Sequence, residues 1–133
     1  NQSLWQSYSE DKMAAPNIVN VSTITAKTVA AGLTTTTTTN ILENAASSGK
    51  VFKINTILVS NIDGANSASV TVYYNDGTAN NYSIATTIDV PADSTLVLTD
   101  KNSVIYLEEN TRIRAGASAA SDLMMLISYE EIS

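Results

Sequence analysis

The 133-residue chain contains no cysteine and no histidine, and these two absences exclude much chemistry. Without cysteine the chain forms neither disulfides nor thiolate metal sites. Without histidine it lacks the commonest general base and the commonest zinc ligand. Long apolar runs are also missing, since the longest covers only residues 123–127, whereas a membrane-spanning helix needs about 18 residues. The sequence therefore predicts no membrane span.

Positive charge is scarce as well. Seven Lys and Arg residues stand against thirteen Asp and Glu residues, and the net charge is −6. Such a balance repels nucleic-acid phosphates and anionic membranes, so we expect no nucleic-acid partner and no membrane partner. It favours solubility at high local concentration, which a protein present in many copies requires. The length predicts a single domain that is large enough to bury a core of its own.

The residue patterns of common active sites are missing too. Serine and threonine are abundant, but the chain has no G-x-S-x-G elbow and no histidine to activate a hydroxyl. The adjacent pairs Glu108-Glu109 and Glu130-Glu131 would point to opposite faces of a strand. The oxygen-rich turns at 63–66 and 100–102 do not match the twelve-residue calcium loop. The sequence predicts no enzyme, no cofactor and no metal site.

After residue 50, short β-branched and aromatic runs alternate with turn residues every eight to twelve positions. This spacing is typical of a sandwich or barrel. No window shows apolar residues at helical spacing over three turns. We therefore predict an all-β fold, an antiparallel β-sandwich of jelly-roll or Ig-like type with an extended N-terminal arm. The seven strands predicted after residue 50 cover 51–62, 69–74, 82–90, 96–98, 104–107, 111–115 and 123–132.

Alternation within these runs predicts which side chains face the core. Val70, Val72 and Tyr74 alternate with polar residues and should point inward. Residues 57–59 are apolar on both faces, which predicts a strand at the centre of a sheet. The run 82–90 alternates cleanly, and its predicted core face comprises Tyr82, Ile84, Thr86, Ile88 and Val90.

The first 49 residues differ in composition, being rich in Thr, Ser, Asn and Ala with few apolar side chains. We divide the chain into an extended tail at 1–16, a Thr-rich arm with edge strands at 17–49 and a sandwich core at 50–133. A short strand is predicted from Ile18 to Ile24. The threonine run at 34–39 predicts another strand, which is either an ordinary edge strand or an arm laid across a neighbouring subunit by β-augmentation.

Several side chains are candidates for contacts with partners. Trp5, the only tryptophan, lies outside the predicted sandwich, where docking onto a partner would bury it. Tyr73 faces outward on its strand, and tyrosine often anchors protein interfaces. Arg112 and Arg114 should face outward together, either solvated, paired with surface carboxylates or in an interface. The candidate interface residues are Trp5, Ile18, Val19, Val21, Thr34, Thr36, Thr38, Ile41, Tyr73, Arg112 and Arg114.

The chain contains the segments KVFKIN at 50–55, VSNIDG at 59–64, ASVTV at 68–72, VPADSTL at 90–96, YLEE at 106–109 and SYEEI at 128–132. Together they resemble a small β-sandwich module of structural proteins from tailed phages, including cyanophages and other marine phages. The resemblance covers residues 13–133, and MAAPNIVN at 13–20 looks like a natural start of such a protein. Residues 1–12 depart from the pattern, as an upstream extension, a processing remnant or a cloning scar would.

The resemblance implies a non-enzymatic protein located in the virion, as a head decoration (cement) protein or a tail- or neck-associated component. It carries no catalytic residues. We expect homo-oligomers, as trimers, bound to capsid or tail proteins through many modest contacts that add as avidity. One alternative is a receptor- or glycan-binding module of a phage tail fibre, which needs Tyr73, Tyr106 and Trp5 clustered in solvent around a groove. Another is a bacterial surface or adhesin domain, which predicts a secretion leader that the first six residues do not show.

Overall fold

The computed structural model describes residues 21–133, and within that range the chain forms nine strands and no helix. β-Branched residues dominate these runs and favour the extended, half-buried backbone of a sheet. The strands are β1 (Ile24–Gly32), β2 (Thr39–Asn44), β3 (Val51–Asn61), β4 (Ala68–Asn75), β5 (Asn81–Val90), β6 (Thr95–Thr99), β7 (Ile105–Leu107), β8 (Thr111–Ala117) and β9 (Leu123–Ile132).

The strands form two antiparallel sheets that pack against each other. The first sheet has the order β1-β9-β3-β6, and β7 also pairs with β3. The second sheet has the order β2-β8-β4-β5. If β6 and β7 are counted as one interrupted strand, the first strand pairs with the last, the second with the next to last, and so on inward, as in a jelly roll. The predicted antiparallel β-sandwich is confirmed, and its winding is that of a jelly roll.

The core lies between the inner faces of the two sheets. Ile57 and Val59 of β3 and Val70 and Val72 of β4 are fully buried, so the predicted inward face of β4 is confirmed. Each such side chain contributes about 1.5–3 kcal/mol relative to leaving it in water. In the same core the ring centroids of Phe52 and Tyr129 lie 5.1 Å apart, in a tilted aromatic pair.

The seven strands predicted after residue 50 are all present, with bounds that differ from the prediction by at most two residues. Pro91 directly follows the end of β5, as expected for a residue that cannot donate to a sheet ladder. The turn at 63–66 also forms as predicted, because Asp63 Oδ1 accepts the backbone N–H groups of Ala65 and Asn66. These hydrogen bonds hold the pKa of Asp63 below its usual value.

The predicted core face of β5 is wrong in part. The register between β5 and β4 shifts at two places, and Thr87 has a φ of 50°. Each bulge inserts a residue and changes which side chains face inward, so that Ala85 rather than Thr86 is buried. Tyr82, which we expected in the core, is 54% exposed at the start of the strand, and Ile88 is 40% exposed on this sheet edge.

The strand predicted over the threonine run is also wrong. Residues 33–38 form a bend that carries the chain from β1 in the first sheet to β2 in the second, and β2 begins only at Thr39. Leu33 anchors this crossing, since its side chain is buried and its backbone bonds to Leu123 and Ser121. The high β propensity of threonine is overridden because a strand cannot continue where the chain changes sheets.

The segment before residue 50 is built into the same sandwich as the rest. β1 pairs with β9 along its whole length, β2 pairs with β8, and each lies at the edge of its sheet. The short strand predicted from Ile18 to Ile24 shares only Ile24 with β1, because residues 21–23 are not in a strand and residues 18–20 lie outside the described part; β1 itself was not predicted. The tail at 1–16 and the residues up to position 20 lie outside the described part of the chain.

Three buried asparagines end β2, β3 and β4. Asn61, the last residue of β3, donates its Nδ2 to the carbonyl oxygens of Asn66 and Val90 at 3.0 and 2.9 Å, while its Oδ1 accepts the N–H of Asp63 at 2.9 Å. Asn44 and Asn75 likewise each donate to two backbone carbonyl oxygens at the ends of β2 and β4. The Oδ1 of Asn44 accepts the hydroxyl of Ser48, and that of Asn75 accepts the N–H of Gly77. Their amides satisfy backbone groups of the loops that strand pairing leaves open. They therefore fix the loops at the strand ends.

Candidate interaction surfaces

The outer face of the first sheet carries an apolar row that crosses four strands. Ala30 of β1 lies opposite Leu126 of β9, Leu126 opposite Leu58 of β3, and Leu58 opposite Val97 of β6. Val97 is 57% exposed and Leu126 37% exposed, and Met124, two residues before Leu126, is 38% exposed. We call Ala30, Leu58, Val97, Met124 and Leu126 the apolar row. Contiguous exposed apolar surface of this kind marks interaction sites in soluble proteins.

Polar side chains flank the apolar row along the strands. On one side the hydroxyls of Thr28 and Ser128 lie 3.3 Å apart, and on the other those of Ser60 and Thr95 lie 3.0 Å apart. Farther along, Lys53 of β3 lies opposite Glu130 of β9, so one positive and one negative group share this face. The face is therefore close to neutral although the chain carries a net charge of −6. Charge repulsion does not keep a partner away from it.

Sequence reasoning missed this surface. The run 57–59 is apolar on both faces of its strand, and the run 123–127 is apolar in the same way. One face of each run is covered by the second sheet, which leaves Leu58 and Leu126 on the other side. In a two-layer sandwich each sheet has only one face that the other sheet can cover. A run that is apolar on both faces therefore indicates that apolar side chains are exposed on the outer face. The sequence does not show that these side chains line up across four strands, because that depends on which strands pair and in which register.

The outer face of the second sheet holds a polar depression, which we call the hydroxyl groove. Its volume is about 250 Å³. Gly116 lets Thr38 approach closely, since a Cβ at that position would lie 3.1 Å from the Thr38 hydroxyl. The groove brings together three of the predicted contact residues, Thr36, Thr38 and Tyr73. Its lining consists of Thr36, Thr38, Ser69, Thr71, Tyr73, Thr87, Gly116, Ala117 and Ser118.

Arg112 and Arg114 lie beside the hydroxyl groove on β8 and point to the same outer face, as predicted. Arg112 forms an ion pair with Glu43 at 3.3 Å. Arg114 lies opposite Tyr73 in the sheet and donates to the carbonyl oxygen of Thr38 at 3.4 Å. The guanidinium groups thus hold β2 and the β1–β2 bend against β8. This role accounts for both arginines within the fold.

The remaining candidate contact residues do not join this group. Val21 is half-buried ahead of β1, Thr34 is exposed in the β1–β2 bend, and Ile41 packs against the chain's own core beside a bulge in β2. Trp5, Ile18 and Val19 lie outside the described residues. The structure therefore brings together Thr36, Thr38, Tyr73, Arg112 and Arg114, and leaves the others apart.

One carboxylate is held between two lysines at the end of the first sheet. Glu131 lies 3.1 Å from the Nζ of Lys27 and 3.1 Å from that of Lys50. Burial pushes the pKa of Glu131 upward, but hydrogen bonds and charge from Lys50 and Lys27 outweigh burial, so its pKa lies below the ordinary value. These two ion pairs link β9 to β1 and to the start of β3.

The hydroxyl groove is lined by hydroxyls and lacks an imidazole, an amine or a carboxylate that would activate them. Within residues 21–133, no three Asp or Glu side chains group closely enough to hold a metal ion. In the same range, no helix has the length and apolar character needed to cross a membrane. The geometry offers surfaces for binding.

No family model matches the chain, and no curated protein matches it.

Proposed function

We propose that the chain is a non-enzymatic structural protein of a phage virion, a decoration (cement) protein or a tail- or neck-associated component. In this role it binds neighbouring virion proteins, assembles with copies of itself and stabilises the particle. The apolar row on the outer face of the first sheet is the observation that carries the proposal. The resemblance of residues 13–133 to phage structural modules supports the proposed location in the virion.

The apolar row suits a broad protein contact better than a small-molecule site. It lies on a regular sheet, so its side chains are held by the backbone pairing of β1, β9, β3 and β6. Covering a half-exposed Leu or Val contributes about 1 kcal/mol. Single contacts of this size are weak, but many symmetric copies on one particle add them as avidity. A jelly roll is compatible with this role, since the fold occurs in viral capsid and lectin domains, although a fold alone does not determine function.

The proposal is tested by binding to virions of the phage that encodes the chain. Fluorescently labelled chain is mixed with particles from which the native protein has been removed, and bound label is measured after sedimentation. We expect saturable binding, and at least tenfold weaker binding for Val97→Gln combined with Leu126→Gln. Ile88→Gln is the matched control, because Ile88 is 40% exposed on the opposite sheet. Failure of the unmodified chain to bind, or equal binding of all variants, would contradict the proposal.

The glycan-binding alternative has one observation in its favour, the hydroxyl groove. The groove is large enough for one sugar unit, and its hydroxyls could exchange hydrogen bonds with a polyol. The expected cluster of aromatics is missing among the described residues, since Tyr73 lies on the outer face of the second sheet and Tyr106 on that of the first. A glycan array separates the two roles. Binding that Thr38→Val or Tyr73→Ala abolishes would favour the alternative.

A further inference from the structure

Among residues 21–133, no strand pairs with the outer side of β1, which is left with a long row of backbone groups at the edge of the first sheet. Thr23 and Ser133 exchange both backbone hydrogen bonds, and the N–H of Leu33 donates to Leu123. The register between these points runs without a shift. In an antiparallel ladder the residues that bond to the partner alternate, so the odd-numbered residues bond to β9. The backbone N–H and C=O groups that point away from β9 belong to Ile24, Ala26, Thr28, Ala30 and Gly32.

The other edge strands have features that hinder pairing with a further strand, whereas β1 has none of them. β5 carries two bulges and a positive φ at Thr87, β2 carries a bulge, and β6 has only five residues. Bulges and short strands are features by which proteins prevent edge-to-edge pairing. β1 has nine residues without a bulge or proline, and no strand within residues 21–133 pairs with its outer edge. Lys27 is its one charged side chain, and that amine is bound to Glu131.

The sequence of β1 is complementary to itself when reversed. If two copies of β1 are aligned antiparallel about Thr28, Ala26 lies opposite Ala30 of the second copy, and Ile24 lies opposite Gly32. The large, 57% exposed side chain of Ile24 therefore meets the residue that has no side chain. The two Thr28 hydroxyls meet at the symmetry axis, a pairing that stabilises antiparallel sheets. All five residues with free backbone groups then face partners, and about ten hydrogen bonds can form.

We propose that β1 pairs with β1 of a second copy, in antiparallel register centred on Thr28, and joins two first sheets into one continuous sheet. The inference rests on the self-association in the proposed function and names its surface and partner. The two-fold axis is perpendicular to the sheet, so the apolar rows of both copies lie on the same side and form one broader face. The contact closes on two copies. A complex of three copies would need a different surface.

Cysteine cross-linking tests the register directly, because the chain has no cysteine of its own. The Cα atoms of a hydrogen-bonded antiparallel pair lie about 5.5 Å apart, which suits a disulfide. Under mild oxidation at micromolar concentration we expect Thr28→Cys to form disulfide-linked dimers at least tenfold faster than Thr95→Cys. Thr95 is the control because it is also exposed but lies on β6, at the opposite edge of the sheet. Equal rates for the two variants would overturn the inference.

Proline substitution tests the edge in a second way. Ala30→Pro removes an N–H that points away from β9, which an edge strand tolerates, whereas Ala31→Pro removes one that bonds to β9. By light scattering we expect the unmodified chain to be a dimer and Ala30→Pro a monomer. At a protein concentration low enough to dissociate the dimer, where association no longer stabilises the folded state, the two should have the same urea midpoint. Ala31→Pro should lower that midpoint. A monomeric unmodified chain, or a dimer or trimer whose mass Ala30→Pro does not change, would overturn the inference while leaving virion binding to be decided by sedimentation.

Discussion

Replacing Asn61 by alanine should be among the most damaging polar changes in the chain. The side chain of Asn61 is 3% exposed at the end of β3. It donates to the carbonyl oxygens of Asn66 and Val90 and accepts from the N–H of Asp63. Asn61→Ala removes these three hydrogen bonds and leaves three backbone groups without their partner. The loop after β3 and the end of β5 both lose the group that links them.

The magnitude follows from these contacts. A hydrogen bond contributes about 1 kcal/mol net, and a buried polar group left without a partner costs about 1–3 kcal/mol. Water can reach the exposed loop around Asn66 but not the fully buried Val90, so we expect a loss of about 3 kcal/mol in the free energy of unfolding. For a domain of this size that corresponds to a midpoint shift of about 1.5 M in urea and about 10 °C in melting temperature.

The assay is urea unfolding monitored by far-UV circular dichroism, with Asn66→Ala as the control. Asn66 is exposed, and its side chain makes one long contact of 3.4 Å with Asp63, so its removal should cost less than about 0.5 kcal/mol. Asn61→Asp adds a second check, because a carboxylate would face two carbonyl oxygens. The pKa of the new carboxyl group should therefore be raised in the folded state. Because the protonated form is the one that the folded state tolerates, Asn61→Asp should be more stable in acid and should lose stability as the pH rises. Equal stability of Asn61→Ala and Asn66→Ala would refute the reasoning.

Three further predictions concern other parts of the sandwich. Gly49→Ala should lower the free energy of unfolding by about 1 kcal/mol, because Gly49 has a φ of 70° but open space around it. Gly77→Ala should lower it several times more, because the added Cβ would collide with the carbonyl oxygen of Asn110. Equal losses in urea unfolding would contradict this prediction. Glu131→Gln should cost about 1 kcal/mol at pH 7, since both lysines are nearly half exposed. The lowered pKa of Glu131 means that its contribution to stability is present above the ordinary value of 4.5 and is lost as the pH falls through the folded value. The difference from the unmodified chain should therefore shrink as the pH falls below 4.5, and it should not grow in acid. Ile57→Ala should cost about 2–5 kcal/mol as a cavity at the centre of the core, and retention of the unmodified melting temperature would place Ile57 outside the core.

Much of the fold after residue 50 could be predicted from the sequence because its strands are separated by strong turn residues. Pro91 and the Asp63 turn fix the ends of β5 and β3 locally, so their positions do not depend on the rest of the chain. Two of the errors, the core face of β5 and the strand over the threonine run, arose where tertiary structure overrides local preference. The bulges that displace Tyr82 depend on the pairing of β5 with β4, and the bend through the threonine run depends on which sheets β1 and β2 join.

The interaction surfaces could be predicted only in part. The outward direction of Tyr73, Arg112 and Arg114 follows from alternation along single strands, and the structure places these side chains on one face. The apolar row and the free edge of β1 arise from pairing between strands that are distant in sequence, so no local pattern reveals them. For the same reason, buried Asn44, Asn61 and Asn75 read as ordinary turn residues until the loops they bind are known.

The copy number of the chain in purified virions tests the central claim most directly. The test needs particles of a phage whose genome encodes this sequence. They are purified on a density gradient, and the chain is quantified by mass spectrometry against isotope-labelled peptides, relative to the major capsid protein. A structural component predicts a fixed ratio that persists through repeated purification and corresponds to several copies in each particle. Loss of the chain during purification, or fewer than one copy in each particle, would contradict the account.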